Sequence, residues 1–136
     1  MPVYMLNTAA GAIDGPAKAK IAADITHIHC EVTGALPAFV NAFFFEAASH
    51  LPLGDKSVTV YGGIRAGRTD EQKARIKDRI RQSIGQHAGL ALEGIVVDIR
   101  DTPASWTMEG GAIMPEPGEE AAWLAANAAK AGEAHP

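Results

Sequence analysis

Apolar residues in the first part of the chain recur with the period of a strand and then with that of a helix. Residues 2–8 (PVYMLNT) predict a short strand that ends in turn residues. Asp14 and Pro16 are typical of a helix start, and Gly34 is typical of a helix end. Between them, one helical face carries an apolar stripe: Ile21, Ile25, Ile28 and Val32. We therefore expect a helix that buries this stripe.

The next segment, residues 38–46, is apolar on both faces of an extended chain, which is typical of a strand covered on both sides. The same order of patterns then returns, with a strand over 57–64, a helix from about Thr69 and a strand over 95–99. Thr69 and Gln72 have the spacing of a capping box. The apolar stripe of this second helix is Ile76, Ile80 and Ile84.

Corresponding elements of the two halves are offset by about 55 residues, which makes the chain a pseudo-repeat of two β-α-β units, about 2–47 and 57–101. Each unit is expected to join two parallel strands through a right-handed crossover helix. The prediction is a single domain over residues 1–136, of the α/β (α+β) class, with a four-stranded sheet and two helices on one of its faces.

The opposite face of that sheet would expose aromatic side chains, of which we expect Phe39, Phe43 and Phe45 to share one side of a strand. A face this apolar is expected to be covered by oligomerisation. The C-terminal extension, residues 102–136, predicts a short hairpin around Glu109 and a helix after Pro117. Its Ala-rich end is expected to fray.

Composition narrows the classes of partner. The chain has 136 residues, a net charge of −4 and a hydrophobic fraction of 47%, which indicate an ordinary globular domain without the basic surface of a nucleic-acid binder. No run approaches the ~20 apolar residues of a membrane span, and the N-terminus lacks the pattern of a signal peptide. A single cysteine, Cys30, cannot form an intrachain disulfide. We therefore expect no nucleic acid, no membrane and a cytoplasmic location.

Two features of the sequence offer chemistry. Removal of Met1 would turn Pro2 into a secondary amine that can act as base or acid near neutral pH, although Met-Pro is also a common start. Arg65 and Arg68 lie between a strand end and a helix start, and their guanidinium groups could converge on one carboxylate. The segment 62–69 (GGIRAGRT) also approaches the phosphate-loop pattern, but it lacks the loop lysine.

Three other side chains are weaker candidates. His29 lies at the edge of the first helix's apolar stripe, where a structural histidine is as good an explanation as a functional one. His27 and His29 point to different sides of a helix, so metal binding there is not expected. Glu109 lies in a glycine-rich turn, and Asp98 lies mid-strand, where an acid is unusual.

Taken together, PVYM at the start, ITHIH in the first helix, RAGR after the third strand, and MEGG before MPEPGEE resemble the cis-3-chloroacrylic acid dehalogenase group of the tautomerase superfamily. The resemblance runs from Pro2 to about Trp123. It implies a homotrimer with a pocket partly built from neighbouring chains and no cofactor or metal. It also implies site roles: Pro2 as the catalytic amine, Glu109 as the water-activating acid, and three carboxylate binders, His29, Arg65 and Arg68.

One position departs from the group, since Asp98 falls where the dehalogenases pair a tyrosine with the glutamate. Two nearby carboxylates would favour one of them holding a proton. Keto-enol proton transfer needs only the amine of Pro2 and the pair Arg65 and Arg68, which together would form an anion clamp. We therefore predict a tautomerase acting on a small carboxylate-bearing substrate. A hydratase or dehalogenase for cis-3-haloacrylate or acetylenic acids is the first alternative, and a non-catalytic trimer that binds small acids is the second.

Overall fold

The computed structural model describes residues 2–133. The predicted removal of Met1 concerns a residue outside that range. The main sheet contains β1 (Val3–Thr8), β2 (Asn41–Glu46), β3 (Val58–Arg65) and β4 (Ile95–Thr102), and the helices are α1 (Gly15–Thr33), α2 (Asp70–Ala88) and α3 (Glu120–Glu133). A small hairpin consists of β5 (Met108–Glu109) and β6 (Ala112–Ile113).

The strand order is β2-β1-β3-β4. β1 pairs in parallel with β2, and β3 in parallel with β4, so each pair forms one β-α-β unit. The two units meet where β1 runs antiparallel to β3, with Val3 opposite Gly63. The predicted α+β fold, with its four-stranded sheet, C-terminal hairpin and last helix, is confirmed.

Both long helices begin where the sequence indicates, and α1 also ends there. The Asp14 carboxylate accepts the Ala17 N–H at 2.8 Å, and Gly34 closes α1 with a positive φ of 78°. Such a φ favours glycine because a Cβ would be strained there. At the start of α2, Thr69 and Gln72 form the predicted capping box through two reciprocal hydrogen bonds. These caps fix the ends of the helices that frame the site.

The core lies between the sheet and the two long helices. It combines the predicted stripes of α1 and α2 with the side chains on one face of the sheet. The largest of these sheet residues are Tyr4, Leu6 and Ile64, all fully buried. No helix within residues 2–133 is both long enough and apolar enough to cross a membrane.

The bounds predicted for the second and fourth strands are wrong. The second strand begins at Asn41, because Pro37 starts a 3-10 turn over Pro37–Phe39. Phe39 therefore lies in this turn and not among the sheet aromatics. The fourth strand continues beyond residue 99 to Thr102, and the Ala-rich segment after Trp123 continues α3 to Glu133.

The sheet face opposite the helices carries one row of adjacent side chains across all four strands, namely Phe43, Met5, Tyr61 and Asp98. Phe43 is 50% exposed within the single chain. β2 is thus uncovered on this side within the single chain, in line with the apolar face that the sequence indicates.

Candidate active site

A pocket of about 410 Å³ opens at the edge of the sheet where β1 and β2 begin and β3 ends. α1 contributes its last turn and α3 its first turn. The polar side of the pocket carries four of the six predicted site residues, Pro2, His29, Arg65 and Arg68. Residues that lie up to 66 positions apart in the sequence are therefore brought to one cavity.

Pro2 is buried immediately before β1, and its carbonyl accepts the Asn41 N–H at 3.0 Å. This bond links the starts of the two parallel strands. Since Val3 lies opposite Gly63, the antiparallel pairing carries the end of β3, and with it Arg65, to the same edge of the sheet. The position of Pro2 beside the arginine loop follows from strand register.

His29 is 1% exposed, so it is not the border residue that its place in the helix suggests. The Tyr4 hydroxyl lies 2.7 Å from its Nδ1, and the two rings meet edge to face. If Tyr4 donates this bond, both buried groups are satisfied and the ring proton of neutral His29 lies on Nε2. Tyr4 is a site residue that sequence reasoning missed, because strand alternation marks it only as core.

The absence of a side chain at Gly62 makes room for the Tyr4 ring, which bonds His29. A Cβ on Gly62, in β3, would lie 2.8 Å from the Tyr4 ring and 2.7 Å from the end of Ile99. Real Cβ atoms do not come this near to other atoms, so glycine at this position lets the Tyr4 ring pack directly against the backbone of β3. The orientation of Tyr4, and through it of His29, depends on this position.

Burial and the nearby Arg68 guanidinium lower the pKa of His29 from 6.5 to about 4. Burial likewise raises the pKa of Tyr4, with a further contribution from Cys30. Both groups are therefore neutral at physiological pH. A neutral histidine with a fixed tautomer can donate one hydrogen bond to an anion without adding a third positive charge to the pocket.

The lowered pKa of His29 predicts a loss of stability in acid. Between about pH 6.5 and about 4 the unfolded chain binds a proton at this histidine and the folded chain does not, so the free energy of unfolding falls as the pH falls. The contribution is on the order of 3 kcal/mol. Denaturant unfolding at several pH values should show a shallower dependence for His29→Gln than for the unmodified chain.

His27→Gln is the matched control, since His27 lies two residues earlier on α1 with a side chain 72% exposed beside Glu31. This variant should keep the pH dependence of the unmodified chain. Identical slopes for His29→Gln and the unmodified chain would show that His29 is not held neutral by the fold.

The two arginines differ in environment. Arg65 ends β3 and donates through Nη2 to Glu120 at 3.0 Å and through Nη1 to the Pro115 carbonyl at 3.5 Å. Arg68 donates through Nη1 to the Thr33 carbonyl at 3.4 Å, and its buried Nε has no hydrogen-bond partner among the described residues. Burial and the charge of Arg65 lower the pKa of Arg68. An anion bound here would offset both effects.

The rest of the pocket is largely apolar, and its walls include side chains that the sequence did not assign to a site. α3 closes one side with Trp123, whose indole N–H donates to the Ile113 carbonyl at 2.6 Å. This hydrogen bond joins α3 to the small hairpin, ten residues earlier in the C-terminal extension. The other apolar side chains on the walls are Ala35, Leu36, Phe39, Ala104, Met114, Pro115 and Leu124.

The described residues that line this pocket do not include Asp98 or Glu109. Asp98 lies on the sheet face opposite the helices, half exposed, and accepts from Arg100 Nε at 3.0 Å. Glu109 lies in the hairpin, opposite Ala112. Within residues 2–133, no group of three His, Cys, Asp or Glu side chains is arranged to hold a metal ion.

The sheet topology is that of a tautomerase-type α+β fold, and the pocket is lined by Pro2. Residues 1–128 match the family described as "Putative oxalocrotonate tautomerase enzyme". The chain belongs to this family.

Solved structures agree with this assignment. N1, a member of the cis-3-chloroacrylic acid dehalogenase (cis-CaaD) family, is 27% identical with a TM-score of 0.82, over 98% of both chains. Native fused 4-OT is 26% identical with a TM-score of 0.70, over 82% of this chain and 95% of its own. The Q0 fused 4-OT wild-type symmetric trimer is 23% identical with a TM-score of 0.67, over 76% and 88%, and shows the fold alone. No protein of curated function is detectably similar in sequence.

Proposed function

We propose that this protein is a tautomerase in which the amine of Pro2, freed by removal of Met1, transfers protons on a small carboxylate-bearing substrate. The observation that carries the proposal is the meeting of Pro2, Arg65, Arg68 and neutral His29 in one pocket. Membership of a tautomerase family supports it.

In this mechanism the arginines hold the substrate carboxylate. Arg68 contributes the buried donor that has no other described partner, and His29 adds a neutral N–H donor. The amine takes the proton of the enol hydroxyl and returns a proton to the neighbouring carbon, so one group acts as base and then as acid. The nearby positive charges stabilise the enolate as it forms.

The direct test is ketonisation of an enol such as phenylenolpyruvate, followed by the loss of its ultraviolet absorbance. Turnover by the purified protein that disappears when Pro2 is blocked supports the tautomerase. Tight binding of the enol without turnover would instead support the non-catalytic binding trimer.

The likeness to N1, a member of the cis-CaaD family, favours a second candidate, hydration or dehalogenation of an unsaturated acid. Under that hypothesis Glu109 activates water, and Asp98 stands where the dehalogenase group has a tyrosine. An ionised Asp98 would offer no phenolic proton and would repel the substrate carboxylate. Asp98 does not line the pocket of its own chain, so this role would require a pocket shared with a neighbouring copy.

Asp98→Tyr should therefore raise turnover of cis-3-chloroacrylate, while enol ketonisation stays about the same. At 4 Å two like charges interact by as much as about 4 kcal/mol at an effective dielectric of 20, more than one modest hydrogen bond. Chloride release and ketonisation would be measured on the same preparations. Rapid dehalogenation by the unmodified chain, or no gain in the variant, would reverse the ranking of the two reactions.

We further propose that the assembly is a homotrimer joined through the sheet face that carries Phe43. The exposed Phe43 side chain on that face supports this. Light scattering should give about three times the chain mass of 14.2 kDa. Phe43→Asp should dissociate the assembly, because a carboxylate on an apolar interface is costly to bury. Leu92→Asp, an exposed leucine beside the end of α2, should leave the mass unchanged.

A further inference from the structure

One carboxylate of the chain already lies in the pocket. Glu120 is the first residue of α3, and its Oε1 lies 3.0 Å from Arg65 Nη2. Its Oε2 accepts the Gly118 N–H at 2.8 Å. Backbone hydrogen bonds, first among them that of its own N–H, keep the pKa of Glu120 below its usual value. The side chain is thus held ionised at the pocket rim by the turn that begins α3.

The clamp is consequently asymmetric. Arg65 is partly neutralised by Glu120, whereas Arg68 has a buried Nε with no partner in the described part of the chain. A substrate carboxylate is therefore expected to bind most strongly at Arg68 and to share Arg65 with Glu120. Opposite charges at this distance attract even when partly exposed, so the sharing weakens the hold of Arg65 on a ligand.

The charges of the pocket also limit the charge of the ligand. With the Pro2 amine neutral, as a group that takes up a proton must be, the ionised side chains that line the pocket are Arg65, Arg68 and Glu120, and His29 is neutral, so one positive charge remains to be balanced. A single carboxylate balances it. A second carboxylate would face the Glu120 carboxylate or the apolar walls near Trp123 and Met114, and both are unfavourable surroundings for a negative charge.

We propose that Glu120 makes this pocket selective for substrates with one carboxylate and an apolar remainder, by occupying Arg65 and repelling a second carboxylate. The inference deepens the proposed function, since it rests on the pocket being a carboxylate site. It makes Glu120 a residue that determines specificity, separate from the proton transfer assigned to Pro2.

The test uses two unreactive ligands that differ by one carboxylate, phenylacetate and phenylmalonate, at about pH 8. Their dissociation constants can be followed by the fluorescence of Trp123, which lines the pocket, in a Trp106→Phe background, because Trp106 is 79% exposed and would add signal from solvent. Glu120→Gln removes the charge but keeps the size and the oxygen acceptor. Glu119→Gln is the matched control, with the same change of net charge one residue earlier and outside the pocket.

The parent should bind phenylacetate more tightly than phenylmalonate. Glu120→Gln should lower the dissociation constant of phenylacetate about 2- to 5-fold and that of phenylmalonate about 5- to 20-fold, so the preference narrows. Glu119→Gln should leave the ratio of the two constants unchanged. Glu120→Ala should shift this ratio in the same direction as Glu120→Gln, which separates loss of charge from any effect of the amide.

An unchanged ratio in Glu120→Gln, or an equal shift in Glu119→Gln, would overturn the proposal, and so would a parent that binds neither ligand. Because the ligands do not react, the result is independent of turnover. Failure of phenylenolpyruvate ketonisation with a normal ligand preference would count against the tautomerase alone. Normal ketonisation with an unchanged preference would count against the role of Glu120 alone.

Discussion

A short N-terminal extension that leaves the Pro2 nitrogen in a peptide bond should reduce kcat/KM for enol ketonisation by about 10²- to 10⁴-fold, the usual contribution of a positioned acid or base. An amide nitrogen cannot take up a proton near neutral pH, whereas a free amine has a pKa of about 8. Pro2 lines the pocket beside the arginines, so the blocked group would still occupy its place without its chemistry. Steady-state kinetics of the extended and processed chains provide the measurement.

Two controls make the result specific. Intact mass should show that the processed chain lacks Met1, and phenylacetate binding should show that the extended chain keeps its pocket. Pro2→Ala, which offers a primary amine once Met1 is removed, should lose less activity than the extension. Full activity in a chain whose Pro2 nitrogen is acylated would exclude the amine as the catalytic group.

Arg68→Ala should lower kcat/KM for an anionic enol by roughly 10- to 150-fold, which corresponds to the loss of about 1.5–3 kcal/mol from a charged hydrogen bond. Arg65→Ala should also lower it, toward the lower end of that range, because Glu120 already shares its guanidinium. Arg68→Lys should recover part of the loss, since it restores the charge but not the planar pair of donors. Initial rates over a range of enol concentrations give these values.

Arg79→Ala serves as the control for removal of a positive charge. Arg79 pairs with Glu31 at 2.9 Å, on the outer surface of the two long helices and away from the pocket. Its loss should leave kcat/KM within about twofold of the unmodified chain, since exposed pairs contribute little. If Arg68→Ala behaves like Arg79→Ala, the loop is a surface feature and the anion clamp does not exist.

Much of the fold can be predicted from the sequence, because the patterns that specify its helices and strands are local. Ile21, Ile25 and Ile28 are spaced for one helix face, and Thr69 and Gln72 cap α2 through atoms three residues apart. The start of β2, in contrast, was predicted wrongly although its signal is also local. Pro37 allows the chain to turn before the strand begins, so Phe39 goes to the pocket wall instead of the sheet.

The candidate site also has features that the sequence predicted and features that it did not. Residue chemistry and motif resemblance together named Pro2, His29, Arg65 and Arg68, and the structure brings them to one cavity. The sequence could not show that the Tyr4 hydroxyl bonds His29, since this contact depends on the packing of α1 over β1 and on the space left by Gly62. The roles predicted for Asp98 and Glu109 stay predictions, because neither is among the described residues lining this pocket.

By itself, the sequence determined the order of strands and helices, the helix caps and the residue types available for an anion clamp, because periodicity and capping act over a few residues. Only the tertiary structure decided which side chains of the pocket are charged and which contacts restrict the charge of a ligand that can bind there. Burial holds His29 neutral, and α3 brings Glu120 to Arg65 across 55 residues of chain. Both effects arise from desolvation and charge proximity, which depend on distances in space that no local pattern encodes.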